Sequence, residues 1–291
     1  MRAWIGSESA VISSFRAGNE DVNRNSEMNT IRNYGGQMKI YIFADLEGIS
    51  GVSGSPFVAA DGAQYVAGRK YLTADINACA AACFEAGADE VVVRDGHGLG
   101  NNVLWDELDS RVRLIQGVTP GKRFYDIEGS DAVILLGYHA MAGTQRALLE
   151  HTYSSKTIQN MWLNGRKVGE FAIDTAIAGD YGIPVIMTSG CDKLCAEAKA
   201  FHPDVVTCEV KKSISLQGAM LLSAEAARAL IREKTLEAIA KFKAGKIKPK
   251  VISPAVVRKE FVERQEPMSG LCDDRITEVS ADTVEKAFLN S

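Results

Sequence analysis

The run Ile40-Tyr41-Ile42-Phe43-Ala44-Asp45-Leu46-Glu47-Gly48 closes an apolar segment with two carboxylates two residues apart. In extended chain, such residues point to the same side. Two acids placed there without partners carry a large desolvation cost, so a cation is the natural compensation. Two later apolar segments also end in potential ligands: Val91-Val92-Val93-Arg94-Asp95-Gly96-His97 and Ala132-Val133-Ile134-Leu135-Leu136-Gly137-Tyr138-His139. His97 and His139 are two of only four histidines in the chain. Either alone reads more readily as an ordinary polar loop residue. Together with two carboxylates at strand ends they make a metal site the leading reading. Imidazole nitrogen and carboxylate oxygen suit zinc first, manganese or cobalt less well. The glycines of Asp95-Gly96-His97-Gly98 let backbone approach a ligand closely.

These residues meet only if their strands lie side by side. From Met38 onward the pattern alternates strand and helix, which predicts an α/β fold: a mostly parallel sheet flanked by helices, with ligands beyond the carboxyl ends of the strands. Strands are expected at 39–45, 90–95, 112–116, 132–138, 184–189 and 205–210. Helices are expected at 63–86, 169–181, 192–200 and 223–243, the first closed by Gly87. Residues 157–168 read as a hairpin turning at Asn164-Gly165. The lysines between 241 and 250, with Pro249 and Pro254, read as a solvated linker. Beyond it come a strand from Val256 to Val262, a weak strand at 275–279 and a helix from Ala281. The expected organisation is therefore a catalytic α/β domain over 38–210 and a smaller α+β C-terminal lobe over 211–291. Residues 1–37, rich in Ser, Asn, Arg and Glu, read as a disordered extension, with Met38 as a candidate functional start.

Composition narrows the function classes. The 291 residues carry a net charge of −4, which offers no electrostatic case for nucleic acid. No apolar run reaches the roughly 18 residues of a membrane span, and no secretory signal is legible. The six cysteines lack the paired C-x-x-C spacing of structural zinc sites. They read as reduced, buried residues of a cytoplasmic protein. His202, before Pro203, reads as structural. The glycines of Gly48-Ile49-Ser50-Gly51-Val52-Ser53-Gly54 lack dinucleotide-binding spacing.

Glu170, opening the segment Gly169-Glu170-Phe171-Ala172-Ile173-Asp174, reads on its own as a helix-capping or dipole residue. His151 on its own reads as a surface histidine. Taken in order, however, Asp45-Leu46-Glu47-Gly48, the Asp-Gly-His-Gly loop at His97, Leu136-Gly137-Tyr138-His139-Ala140, His151 and Val168-Gly169-Glu170 resemble the zinc-dependent D-aminopeptidase family of the DppA type. The resemblance runs from Met38 to near the C-terminus. It implies that Asp45, Glu47, His97, His139 and Glu170 ligate two zinc ions per subunit, that Asp45 bridges them and that His151 is the catalytic histidine. It also implies small peptide substrates with an N-terminal D-residue, such as D-alanyl peptides, and a ring-shaped homodecamer. The chain departs from the family in Phe43-Ala44 before Asp45 and in Arg94-Asp95-Gly96-His97, while the ligand positions are kept.

For such a site, metal-activated water is the expected nucleophile and His151 the expected acid/base. Two other classes stay open on the residues alone. Paired metals with Asp, Glu and His also serve phosphoesterases, and Arg94 could hold a phosphate. The same groups could also make a metal- or peptide-binding module without turnover.

Overall fold

A computed structural model of the chain describes residues 37–263 and 275–291. Its strands are β1 (Lys39–Ala44), β2 (Glu90–Asp95), β3 (Arg113–Ile115), β4 (Ala132–Tyr138), β5 (Ile158–Leu163), β6 (Arg166–Lys167), β7 (Val185–Cys191), β8 (Val206–Ser215), β9 (Gly218–Leu221), β10 (Ala255–Phe261) and β11 (Ile276–Ala281). The helices are α1 (Tyr65–Glu85), α2 (Glu170–Asp180), α3 (Asp192–Phe201), α4 (Ala224–Lys243) and α5 (Val284–Leu289).

Side-chain alternation along β1 builds the layers. Ile40, Ile42 and Ala44 pack into one core with α1 and α4, while Tyr41 and Phe43 pack into a second core with α2. With both faces covered, β1, β4 and β7 are apolar almost throughout, as buried parallel strands must be. The main sheet runs β3-β2-β1-β4-β7-β8-β9, parallel except for β9 at the edge. Chain order reverses direction between β2 and β4 on either side of β1, which is the switch point where such sheets open a crevice. In α1, Leu72, Ile76, Cys79 and Cys83 recur at helical spacing on the buried face. Gly87 ends the helix at φ +89°, a conformation that costs other residues about 1–2 kcal/mol. The second sheet, β11-β10-β5-β6, is antiparallel and lends Met161, Leu163 and Val257 to the second core.

The expected elements are present, with the hairpin turn at Asn164-Gly165 in left-handed conformation at both residues. Two boundaries differ by three residues or more. The strand expected to stop at 210 runs on to Ser215 and returns as β9. Its apolar residues Ile214, Leu216 and Met220 face outward, so the stretch lacks the pattern of a half-buried strand. The last helix starts at Val284, because Ala281 is still paired with Ala255 and Thr283 caps the helix. The described residues lie in one compact unit. Residue 210 lies inside β8, α4 packs against α1, and β10 pairs with β5. The expected disordered extension falls, but for residue 37, outside the described residues. Among the described residues, no helix is long and apolar enough to cross a membrane.

One close approach sets the site. After β1 the chain laces onto the end of β4: the Asp45 N–H donates to Leu136 O at 2.8 Å and the Gly48 N–H to Gly137 O at 2.7 Å. A Cβ on Gly137, whose φ is +76°, would lie 2.3 Å from Asp45 O. Gly137→Ala therefore combines backbone strain with overpacking of about 1–3 kcal/mol. Gly121 has φ +71° and open space around it, so Gly121→Ala carries the strain alone, about 1–2 kcal/mol. Urea unfolding is expected to show the larger loss for Gly137→Ala. Equal losses would mean that the approach is looser than described.

Candidate metal centre

Asp45 directly follows β1, His97 lies just beyond β2, His139 directly follows β4, and Glu170 opens α2. Asp45, Glu47, His139 and Glu170 are all buried. His97 Nδ1 is 3.2 Å from Asp45 Oδ1 and 3.0 Å from Glu47 Oε2. His139 Nε2 is 3.1 Å from Glu170 Oε1 and 3.5 Å from Asp45 Oδ2. His151 Nε2 lies 3.8 Å from Glu170 Oε1, and its ring stacks on that of His139 at 4.0 Å between centroids. The six residues singled out in the sequence thus come together.

The remaining ring nitrogens define what this cluster wants. His97 Nε2 meets Val58 O at 3.0 Å, His139 Nδ1 meets Ala140 O at 3.1 Å and His151 Nδ1 meets Leu149 O at 2.8 Å. A carbonyl only accepts, so each of these nitrogens carries the hydrogen, an assignment made from the network. In a neutral ring the other nitrogen would then turn a lone pair toward carboxylate oxygens. His139 Nε2 is buried without a well-formed hydrogen bond. The arrangement is satisfied by a proton on the ring or by a cation between the groups. One nitrogen fixed by a carbonyl and the other free is the usual posture of a metal-ligating histidine.

The electrostatics agree. Burial opposes a charged His139, yet Glu170, then Asp45 and Glu47, push it up to about 10. Burial likewise opposes a charged His97, and Glu47 foremost raises it well above the usual histidine value. Burial would raise both glutamates, but His97 holds Glu47 far below the ordinary carboxylate range and His139 holds Glu170 below it. Two trios, Asp45–Glu47–His139 and His139–His151–Glu170, each place one ligand atom per residue within 4.8 Å of the others. The donor set is thus N- and O-rich, buried and anionic, which fits zinc.

Several supporting residues went unnoticed in the sequence. The Tyr153 N–H donates to Glu170 Oε1 at 2.7 Å, and Arg123 Nη2 stands 3.5 Å from Glu170 Oε2. Asp174, one turn along α2, accepts from Arg123 Nε at 3.0 Å, Arg123 Nη2 at 2.9 Å, Tyr138 OH at 2.6 Å and Tyr153 OH at 3.0 Å. The guanidinium lies over the rings of Phe43 and Tyr153. Glu197 of α3 accepts from the Met141 N–H at 2.9 Å, and its other oxygen lies 2.6 Å from where a Cβ on Gly169 would be. It therefore sits against the chain beside both His139 and Glu170. Asp174 had a legible signal, an acid four residues after Glu170 in an otherwise apolar helix. Arg123, in a loop, had none.

Arg94 turns away from this cluster. Its guanidinium reaches Ile115 O and Thr119 Oγ1, each at 3.4 Å. Cys79, Cys83, Cys191, Cys195 and Cys208 are free and buried, and Cys272 lies outside the described residues. His202 is buried at the end of α3.

Residues 38–288 match the peptidase M55 family, described as D-aminopeptidase. A D-aminopeptidase of Bacillus subtilis (strain 168) is 36% identical over 216 residues, spanning 73% of this chain and 77% of that protein. The solved structure of the Zn-dependent D-aminopeptidase DppA from Bacillus subtilis, a self-compartmentalizing protease, matches with a TM-score of 0.78 at 30% identity, covering 87% of this chain and 94% of that one.

Metal ligation needs neutral imidazole, so loading the metal-free protein at pH 8 is expected to release protons from His97 and His139. Apparent affinity should then rise with pH toward the value of about 10 for His139. Calorimetry in buffers of different ionisation enthalpy counts the protons. Binding without proton release would show both rings to be neutral beforehand.

Proposed function

The chain belongs to the D-aminopeptidase family, and we propose that it is a zinc aminopeptidase releasing an N-terminal D-residue from short peptides, D-alanyl peptides among them. The observation that carries a two-zinc reading is the placement of Asp45. One of its oxygens faces His97 and the other faces His139. Asp45, Glu47 and His97 would hold one zinc, and Asp45, His139 and Glu170 the other, with Asp45 shared.

When bound, zinc supplies Lewis acidity and lowers the pKa of water to about 7. The chain's own residues supply position and proton transfer. Glu170 is fixed by the Tyr153 N–H and oriented by Arg123. His151 is oriented by Leu149 O, which leaves Nε2 free beside the centre. Its side chain is 16% exposed against 2% for His139, so of the stacked pair His151 is the one open to a substrate. It acts as the acid/base that takes a proton at Nε2 and returns one to the leaving amine. Arg94, engaged elsewhere, gives no support to phosphate-ester chemistry.

By likeness to the self-compartmentalizing relative, the chain is read as a homo-oligomer, with a ring-shaped decamer the specific expectation. Its buried free thiols accord with a reducing, cytoplasmic setting.

Metal analysis of the purified protein, paired with hydrolysis of D- and L-alanyl dipeptides and a generic phosphate ester, tests the reading. Zinc at two per chain and turnover of the D-peptide are expected. Preference for the L-peptide or the ester would overturn it. His97→Ala and His139→Ala should lose metal and activity together. His151→Ala should keep its metal and lose about 10²–10⁴-fold in kcat. Loss of metal in that variant would instead make His151 a ligand.

A further inference from the structure

The glycine-bearing turn after β1 is gripped by two buried ionisable residues from elements remote in sequence. Lys211, on β8, is buried and directs its ammonium at three carbonyls of this turn: Glu47 O at 2.7 Å, Ile49 O at 2.8 Å and Val52 O at 2.8 Å. An ammonium has three donors, and all three are used. Asp75, on α1, is buried and takes the opposite polarity of the same turn. The Ser50 N–H donates to Asp75 Oδ2 at 2.8 Å, and Ser50 Oγ donates to Asp75 Oδ1 at 2.7 Å.

We infer that Lys211 and Asp75 are positioning residues that hold the turn between them and so fix the carboxylates of Asp45 and Glu47 in ligating geometry. The inference rests on the zinc reading above. Neither residue reaches the reacting groups; each acts through backbone. Glu47 shows the linkage directly, since its carbonyl is bound by Lys211 while its carboxylate faces His97. Five hydrogen bonds from a lysine on one side and to an aspartate on the other leave the turn little freedom to swing. An isolated buried charge of either sign would be costly. Here the turn's own carbonyls solvate the cation and its amide and hydroxyl solvate the anion. A ligand held this way approaches its metal without first being ordered, and loss of such outer support typically weakens metal binding by about 10–100-fold.

The test uses the full-length protein with Lys211→Met and Asp75→Leu. Zinc affinity is read by competition with a chromogenic chelator, together with turnover with and without excess zinc and the melting temperature of the metal-free form. Lys211→Met is expected to weaken zinc binding by about 10–100-fold, with turnover recovering in excess zinc. Asp75→Leu should shift affinity in the same direction. A merely structural role would lower the metal-free melting temperature and leave zinc affinity unchanged in both variants, which would overturn the inference. If Lys211→Met does not fold, wild-type affinity in Asp75→Leu, which keeps the side-chain size and removes both acceptors, overturns it alone. Failure of the wild-type protein to bind zinc would instead overturn the proposed function.

Discussion

Three carboxylates, Asp45, Glu47 and Glu170, are buried together at the carboxyl edge of one sheet, and everything near them answers that concentration of negative charge. Water cannot screen it, so positive charge has to be supplied from within. Without metal, the basic groups nearest these carboxylates among the described residues are His97 and His139, at 3.0 and 3.1 Å, and their affinity for protons rises accordingly. The site is thus arranged to hold positive charge, as protons on the rings or as a cation between the groups. Arg123 does not relieve this strain, because its two strongest bonds go to Asp174. It contributes a single longer contact to Glu170 at 3.5 Å, which orients that carboxylate without neutralising it.

The fold makes the concentration possible by drawing the site from the ends of three strands and the start of one helix. β1 brings Asp45 and Glu47, β4 brings His139, β2 brings His97, and α2 brings Glu170. Because β1 sits between β2 and β4, both histidines flank the acids without any long loop. Gly48 and Gly137 let two backbones pass at hydrogen-bonding distance, where a side chain on either would collide with the other strand. The apolar cores on both faces hold this frame rigid, and rigidity matters here because ligand atoms must be placed to within about 0.5 Å.

What could be read from the sequence follows the same division. The strands carrying Asp45, His97 and His139 announce themselves through unbroken apolar runs, and the ligands stand where those runs stop. Glu170 and His151 carry no such mark, since a glutamate in a first helical turn and a histidine in a loop are commonplace; only the ordered set of motifs singled them out. Lys211 was not legible at all. In Val210-Lys211-Lys212 it is one of two adjacent lysines, and only the register of β8 decides that it turns inward while Lys212 does not. The β8–β9 hairpin escaped notice for the converse reason, as its apolar side chains face out. Long-range pairing decides both cases, and a local pattern does not contain it.

His139 and His151 show how little separates the proposed ligand from the proposed proton carrier. Both give Nδ1 to a backbone carbonyl, both turn Nε2 toward Glu170, and their rings lie in contact and nearly parallel, 10° apart. The difference is placement. His139 is continuous with β4 and lies between two carboxylates at 3.1 and 3.5 Å. His151 sits on an irregular segment and meets one carboxylate at 3.8 Å. A ring held between two anions keeps a cation in place. A ring at the margin, facing one anion and open on another side, is the one placed to meet a substrate. On the proposed reading the stacked pair divides the two tasks by burial, with the same side chain in each role.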